Sequence, residues 1–338
     1  MSVYLKKFMA DPLFTFGVTT YNRIEMLKEC LTSILRQTSP DFEVIVGNDY
    51  TADVITNESL GISDSRIRIV NHPRNLGEVS NMNYLLSKAK GRYFSWLADD
   101  DLVIPQFVEA IHTTLEKFSY PACVFTSYNE GLEYKPEPVI DVNNSSQLMN
   151  GDEFLQQYLS RTLKLIGCYG GIETKYLKEI GGIEELGDGF SPYADNLLAI
   201  RAGKLDKVAY VDAPLIFFRT HDQSLSYTSC GLTAYTSAQQ GLLSRCEEIF
   251  EHDSISHNRQ LNMFHLLIWC SRDIYSVLYR GSSFLPRSFI NHLRVLDRYA
   301  RGTGWLYPRF LLLNLWFAAK YLVRRILKNR GQHEASDS

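Results

Sequence analysis

Residues 96–101 read WLADDD, an apolar run ending in three consecutive aspartates, Asp99, Asp100 and Asp101. Adjacent carboxylates repel one another, so their crowding is costly unless a cation or solvent relieves it. An oxygen cluster of this kind can bind Mg2+ or Mn2+, ions that commonly keep waters or share substrate phosphates. A metal bridging to a diphosphate would stabilise the charge that builds on that leaving group. The plainer alternative is that the aspartates end a strand and open the next helix, with Asp101 favoured near its positive end. Taken alone, the run favours that alternative, and the elements around it have to decide.

From residue 13 the chain alternates short β-rich runs with longer helical ones. LFTFGVTT (13–20), FEVIVGND (42–49), RIRIVN (66–71) and RYFSWL (92–97) read as strands. Arg23 to Gln37 places Ile24, Leu27, Leu31, Ile34 and Leu35 at helical spacing, and NMNYLLSKAK (81–90) reads as a second helix. Repeated βα alternation predicts a mostly parallel α/β sheet with helices on both faces. Ligands of such sheets collect at the carboxyl ends of strands. Three polar clusters fall there: TTYNR after the first strand, NDYTAD after the second and ADDD after the fourth.

Farther on, 105–118 reads as a helix, 122–128 as a strand and 129–147 as a loop. Helices are expected over 151–164 and 191–205, with a glycine-rich connection carrying a short helix over 167–183. A strand at 207–212 and the segment 213–226 close this part, and the chain from about 233 reads as purely helical.

The composition sets outer bounds. The 338 residues are 45% hydrophobic with a formal charge of −3, which describes a protein with ample core and gives no support for a nucleic-acid partner held by a basic field. Cys30, Cys123, Cys168, Cys230, Cys246 and Cys270 are scattered without metal-site spacing, as expected of reduced thiols. The opening MSVYLKKFMADP lacks the apolar core of a secretory signal, and no stretch has 18 uncharged apolar residues, so a cytoplasmic protein is expected.

In their order and spacing, TTYNR, FEVIVGND, NLGEVSNMN, GRYFSWLADDD, YADN and FFRTHDQSLS resemble the family 2 glycosyltransferases of GT-A fold, especially bacterial members that build surface polysaccharides. The resemblance runs from about residue 13 to 226. It implies a GT-A domain over 1–232, with a nucleotide-binding half over about 1–128 and an acceptor half over about 129–232, followed by a helical region over 233–338.

By this resemblance Thr19 and Tyr21 line the nucleoside, and Asp49 accepts from a pyrimidine N3–H. Asn48 stands where the family commonly has an aspartate, and Tyr50 where it has a small residue, so UDP, dTDP and CDP donors all stay open. Arg23 and Arg74 are the candidates for the diphosphate, since Met82 occupies a position where many members carry arginine. Asn75, Asn81 and Asn83 suit ribose or neighbouring loop backbone. The family's Asp-x-Asp signature, aligned on Leu102, puts the metal-binding carboxylate on Asp100, with Asp99 reaching ribose or metal and Asp101 following. Asp99-x-Asp101 also satisfies the pattern. His221 would close over the nucleotide as a metal or diphosphate contact, tilting the preference toward Mn2+ over Mg2+. Arg219 and Ser224 would help fix that segment or the phosphates.

Asp195 matches the catalytic base, with Ala194 in place of the usual glutamate and Asp188 and Glu185 as rivals. Such a base implies a single displacement with inversion at the anomeric carbon. The implied partners are a nucleoside diphosphate sugar and a glycan acceptor linked to polyprenyl diphosphate. Residues 305–330 carry six basic side chains and no acidic one, which suits an anionic membrane surface and a peripheral place on the inner face of the cell membrane, the alternative being a C-terminal helix packed on its own domain. Two other readings compete: a metal-dependent sugar nucleotidyltransferase, for which TTYNR is a poor phosphate loop, and an inactive glycan-binding scaffold of the same fold.

Overall fold

Phe14–Thr20, FTFGVTT, is apolar enough to be covered on both faces, and in the computed structural model it forms the strand β1. The elements that follow are α1 (Ile24–Leu35), β2 (Phe42–Asn48), α2 (Asn57–Leu60), β3 (Ile67–Asn71), α3 (Glu78–Lys88), β4 (Tyr93–Ala98) and β5 (Leu102–Val103). Next come α4 (Phe107–Lys117), β6 (Cys123–Gly131), α5 (Val142–Ser145), β7 (Ser146–Met149), α6 (Gly151–Leu159), β8 (Gly170–Glu173) and α7 (Thr174–Glu179). The series ends with α8 (Ala194–Ala202), β9 (Val208–Arg219), α9 (Leu232–Glu251), α10 (Ser256–Arg280), α11 (Arg287–Arg301) and α12 (Tyr307–Ser336). The structure describes residues 11–135, 140–187, 191–221, 232–251, 256–280 and 287–336.

The chain divides into two units, the first being Met1–Phe154, Leu163–Glu184 and Arg201–His221. Its strands run β3-β2-β1-β4-β8-β6-β9-β5, with β7 also on β9. The long ladders β3-β2-β1-β4 and β6-β9 are parallel, whereas the short strands β5, β7 and β8 join antiparallel. This is the α/β class expected from the alternation, with three short strands added.

Register decides where the polar clusters go. Thr19 pairs with Gly47 on one side and Ala98 on the other, so β1, β2 and β4 end level and release TTYNR, NDYTAD and ADDD side by side. Phe14 and Phe16 each lie 5.5 Å, centroid to centroid, from Phe107 of α4 on one face of the sheet. On the other face α3 approaches closely: a Cβ on Gly17 would stand 3.4 Å from Leu85 of α3, besides 2.4 Å from the Phe94 ring of β4, and one on Gly47 2.2 Å from Asn81 Oδ1 of α3. Glycine at these two positions is what lets α3 settle against β1 and β2.

The strand β8 lies in the glycine-rich connection over 167–183, where a short helix but no strand is expected. A Cβ on Gly171 would meet Ile111 at 2.7 Å, so the glycine that hides this strand's β-propensity also lets it pack. The loop expected over 129–147 is in part strand and helix, since β6 continues to Gly131 and β7 pairs with Val208–Val211. The stretch 207–226 holds one continuous 12-residue strand, β9, to Arg219.

The second unit is Leu155–Thr162, Glu185–Ile200 and Asp222–Ser338, and every described element after residue 231 is helical. Its core holds a buried polar chain: His292 Nε2 donates to Gln239 Oε1 at 2.5 Å, and Gln239 Nε2 donates to Tyr193 Oη and the Cys270 carbonyl at 2.8 and 3.0 Å. Burial pushes the His292 ring down to about 4 from its usual 6.5. The unfolded chain therefore takes up a proton between those two values while the folded chain does not, so stability is complete above the higher one and falls toward the lower. His292 should remove as much as about 3 kcal/mol of unfolding free energy across that window. Denaturant midpoints at about pH 7 and about pH 4.5 check this: His292→Gln should show a smaller acid loss than the wild-type chain.

Candidate functional site

The sharp exit from β1 sets the site's first cation. Asn22 adopts φ 54°, a left-handed conformation that asparagine tolerates, and Arg23 follows as the residue before α1. The guanidinium then straddles two aspartates. Arg23 Nη2 is 2.5 Å from Asp99 Oδ1 at ion-pair distance without hydrogen-bond alignment, and Nη1 donates to Asp100 Oδ2 at 2.7 Å. Thr20, the last residue of β1, donates to Asp99 Oδ2 at 2.6 Å.

Asp99 and Asp101 are fully buried. Burial pushes the Asp99 carboxyl up to about 6 against the opposing pull of Arg23 and the Thr20 hydrogen bond. Burial, and then the charge of Asp100, also push Asp101 well up. Asp101 faces inward and both its oxygens are engaged: Oδ2 accepts from Tyr169 Oη, and Oδ1 from the Arg219 backbone N–H at 2.9 Å. The two-residue strand β5 makes the second contact possible: Leu102 pairs with Phe217, which sets Asp101 opposite Phe218 and its carboxylate within reach of the Arg219 N–H. The Arg219 side chain turns outward to Glu29 at 2.7 Å.

Asp100 is left between Arg23 and His221, whose Nε2 lies 2.9 Å from the same Oδ2. The His221 Nδ1 is buried and has no hydrogen-bond partner among the described residues. No group of three or more His, Cys, Asp or Glu side chains placed to hold a metal occurs among the described residues. One carboxylate and one imidazole still fit a divalent cation that draws its remaining ligands from water and phosphate oxygens. Asp100 and His221 would hold it; Asp101, expected beside them, has its oxygens committed within the fold.

At the end of β2, Asp49 accepts from the backbone N–H groups of Leu76 and Gly77 at 2.7 and 2.9 Å, fixing the turn into α3. The neighbouring Asn48 amide donates to the Asp53 carbonyl and to Asn71 Oδ1, both at 2.8 Å. A carboxylate cannot donate, so this residue's departure from the family pattern is matched by its hydrogen bonds. Tyr21 is half exposed, and its ring meets Tyr50 edge-on at 5.2 Å. Thr19 is half-buried at the strand end, and Arg74 is exposed.

Asn83 has a different engagement: its amide donates to the Ile183 carbonyl at 2.8 Å and accepts from the Ile183 N–H at 3.0 Å. Asp195 stands half-buried in the first turn of α8 in the second unit, and its charge helps raise the buried Tyr158 hydroxyl, burial being the larger cause. Asp188 and Ser224 lie outside the described residues. Motif reading singles out neither Thr20 nor Tyr169. Thr20 lies inside the quoted TTYNR, but nothing in the sequence marks Tyr169 as reaching an aspartate 68 positions away.

Residues 15–181 match the profile of glycosyl transferase family 2. An uncharacterized glycosyltransferase of Haemophilus influenzae is 35% identical over 108 residues, covering 31% of this chain and 33% of its own. The chondroitin synthase of Pasteurella multocida is 34% identical over 119 residues, 34% of this chain and 12% of its own. An uncharacterized glycosyltransferase of Rickettsia typhi is 25% identical over 242 residues, 71% of this chain and 74% of its own. Apart from such longer matches, the chain spans a third or less of the length of curated relatives in Haemophilus influenzae, Rickettsia bellii and Rickettsia felis. The fold is that of S. aureus TarS residues 1–349, crystallised with UDP-GlcNAc: TM-score 0.63 at 14% identity, over 94% of this chain and 92% of that one.

Tyr169→Phe tests the inward role of Asp101. Leaving one buried carboxylate oxygen without its donor should lower the unfolding free energy by about 1–3 kcal/mol in urea titration. In the Asp101→Asn background the same change should have a visibly smaller effect, because the two residues share one interaction.

Proposed function

The chain belongs to glycosyl transferase family 2, and from that premise we propose that it moves a sugar from a nucleoside diphosphate donor to a hydroxyl of a cell-surface glycan. The observation that carries this reading is the meeting of Arg23, Asp99, Asp100 and His221 where β1 and β4 end. Together these residues offer cation and carboxylate chemistry suited to a diphosphate and its metal. UDP-sugars are the first donors to try, since TarS holds UDP-GlcNAc.

In the proposed complex Tyr21 packs against the base, with Thr19 and Asp49 beside the nucleoside. Arg23 and the exposed Arg74 receive the diphosphate, and Asp99 reaches the ribose or orients Arg23. A divalent cation held by Asp100 and His221 supplies neutralising charge for the departing diphosphate. Imidazole ligation favours Mn2+ over Mg2+.

The assignment of Asp195 as base rests on its motif. In the proposed step Asp195 takes the acceptor hydroxyl's proton as that oxygen bonds to the anomeric carbon. The bond from carbon to the diphosphate oxygen breaks, and its electron pair leaves with the nucleoside diphosphate. One displacement inverts the anomeric centre. The acceptor proposed is a glycan on polyprenyl diphosphate, met at the inner face of the membrane.

Thermal unfolding with a panel of nucleotide sugars tests donor binding: a UDP-sugar with Mn2+ should raise the midpoint, and Asp100→Asn should lose the metal-dependent part of that rise. Absence of any shift with every nucleotide sugar and both metals would overturn the reading. Asp195→Asn should cut transfer by about 10²–10⁴-fold while keeping the donor-induced shift. Loss of the shift would instead place Asp195 in donor binding.

A further inference from the structure

Where a globular helix ordinarily turns polar residues to solvent, α12 turns apolar ones. Phe310, Phe317 and Tyr321 are buried and make its inward stripe, with Tyr275 of α10 6.2 Å from both the Phe317 and Tyr321 rings. Behind them Leu312, Leu315, Trp316, Leu322, Val323 and Ile326 are each more than half exposed. At about 100° per residue these six fall within about a third of the helix circumference, so they form one continuous stripe. An exposed apolar stripe of this extent marks a surface that meets something.

The charges around it identify the partner. Residues 305–330 contain six basic side chains and no acidic one. Arg309 and Lys320 fall at one margin of the exposed stripe and Arg325 at the other. Lys320 Nζ lies 4.8 Å over the Trp316 ring, and Arg325 Nη1 donates to Tyr321 Oη at 2.8 Å. Phe310, Phe317 and Tyr321 thus form the inward stripe, and the cations rise beside it toward the margins. A second copy of the chain meeting this face would set cationic margins against cationic margins, which is unfavourable. Among the described residues no helix is long and apolar enough to cross a membrane.

We propose that the outer face of α12 binds an anionic lipid bilayer, lying in the plane of the membrane with its leucines, Trp316 and Ile326 at the boundary of headgroups and acyl chains. The marginal arginines and lysine reach lipid phosphates while their stems lie along the apolar stripe. Trp305, in the turn before α12, is also exposed. The inference goes beyond the transferase reading and uses none of its residues, so each can fail without the other.

Sedimentation of the full chain with sucrose-loaded vesicles tests it, using phosphatidylcholine alone and phosphatidylcholine mixed with phosphatidylglycerol. The chain should pellet with the anionic vesicles, more weakly as salt rises, and its tryptophan emission should shift to the blue. Leu312→Gln/Leu315→Gln/Trp316→Gln should weaken binding by about tenfold or more. Arg309→Gln/Lys320→Gln/Arg325→Gln should erase the preference for anionic lipid. Circular dichroism checks that both variants keep their helices, and the wild-type emission shift needs no variant. Binding to neither vesicle would overturn the proposal, whether the chain is monomeric or self-associated by light scattering. So would binding that the apolar triple variant leaves unchanged.

Discussion

Three carboxylates at the end of a buried strand repel one another, and the first unit is organised around relieving that repulsion. Two like charges 4 Å apart oppose each other by about 4 kcal/mol at an effective dielectric of about 20, so each aspartate needs its own compensation. The compensation comes from separate parts of the chain. Asp99 is met by Thr20 and Arg23, Asp101 by Tyr169 and the Arg219 N–H, and Asp100 by Arg23 and His221. Strand ends, a turn with a left-handed asparagine and the connection before β8 are therefore held in mutual register by one electrostatic requirement. Nearby Cys30, buried and facing these charges, is pushed well up and kept as a thiol.

Much of this could be read from the sequence, for identifiable reasons. β1, β2 and β4 are runs of apolar residues long enough to announce themselves, and their polar endings mark where the sheet gathers function. The resemblance points to the family and the fold; the profile match over 15–181 agrees with the first and the likeness to TarS with the second. What escaped was short or distant. β5 has two residues and β8 begins with two glycines, so neither carries a periodic signal. The contact of Tyr169 with Asp101 spans 68 residues and exists only once β8 is threaded between β4 and β6.

Residues chosen for chemistry also prove to have structural work. Asp49 fixes the turn before α3, and Asn83 ties α3 to the chain at Ile183. Sequence motifs record which residue type is required but not which of its hydrogen-bonding groups faces inward. Side-chain valence separates the cases: Asn48 uses its amide as both donor and acceptor, which only an amide can do here.

The long strand β9 serves two partners along the same outer edge, β7 near its start and β5 near its end. On its other side, against β6, the register shifts around Ser127. A slip by one residue in a strand turns every side chain to the opposite face. The irregularity at Ser127 lies between those two pairings, so the β7 end and the β5 end of β9 meet β6 in different registers. The two residues of β5 clasp the far end of β9, and through the Arg219 N–H on Asp101 they set the grip of the whole centre.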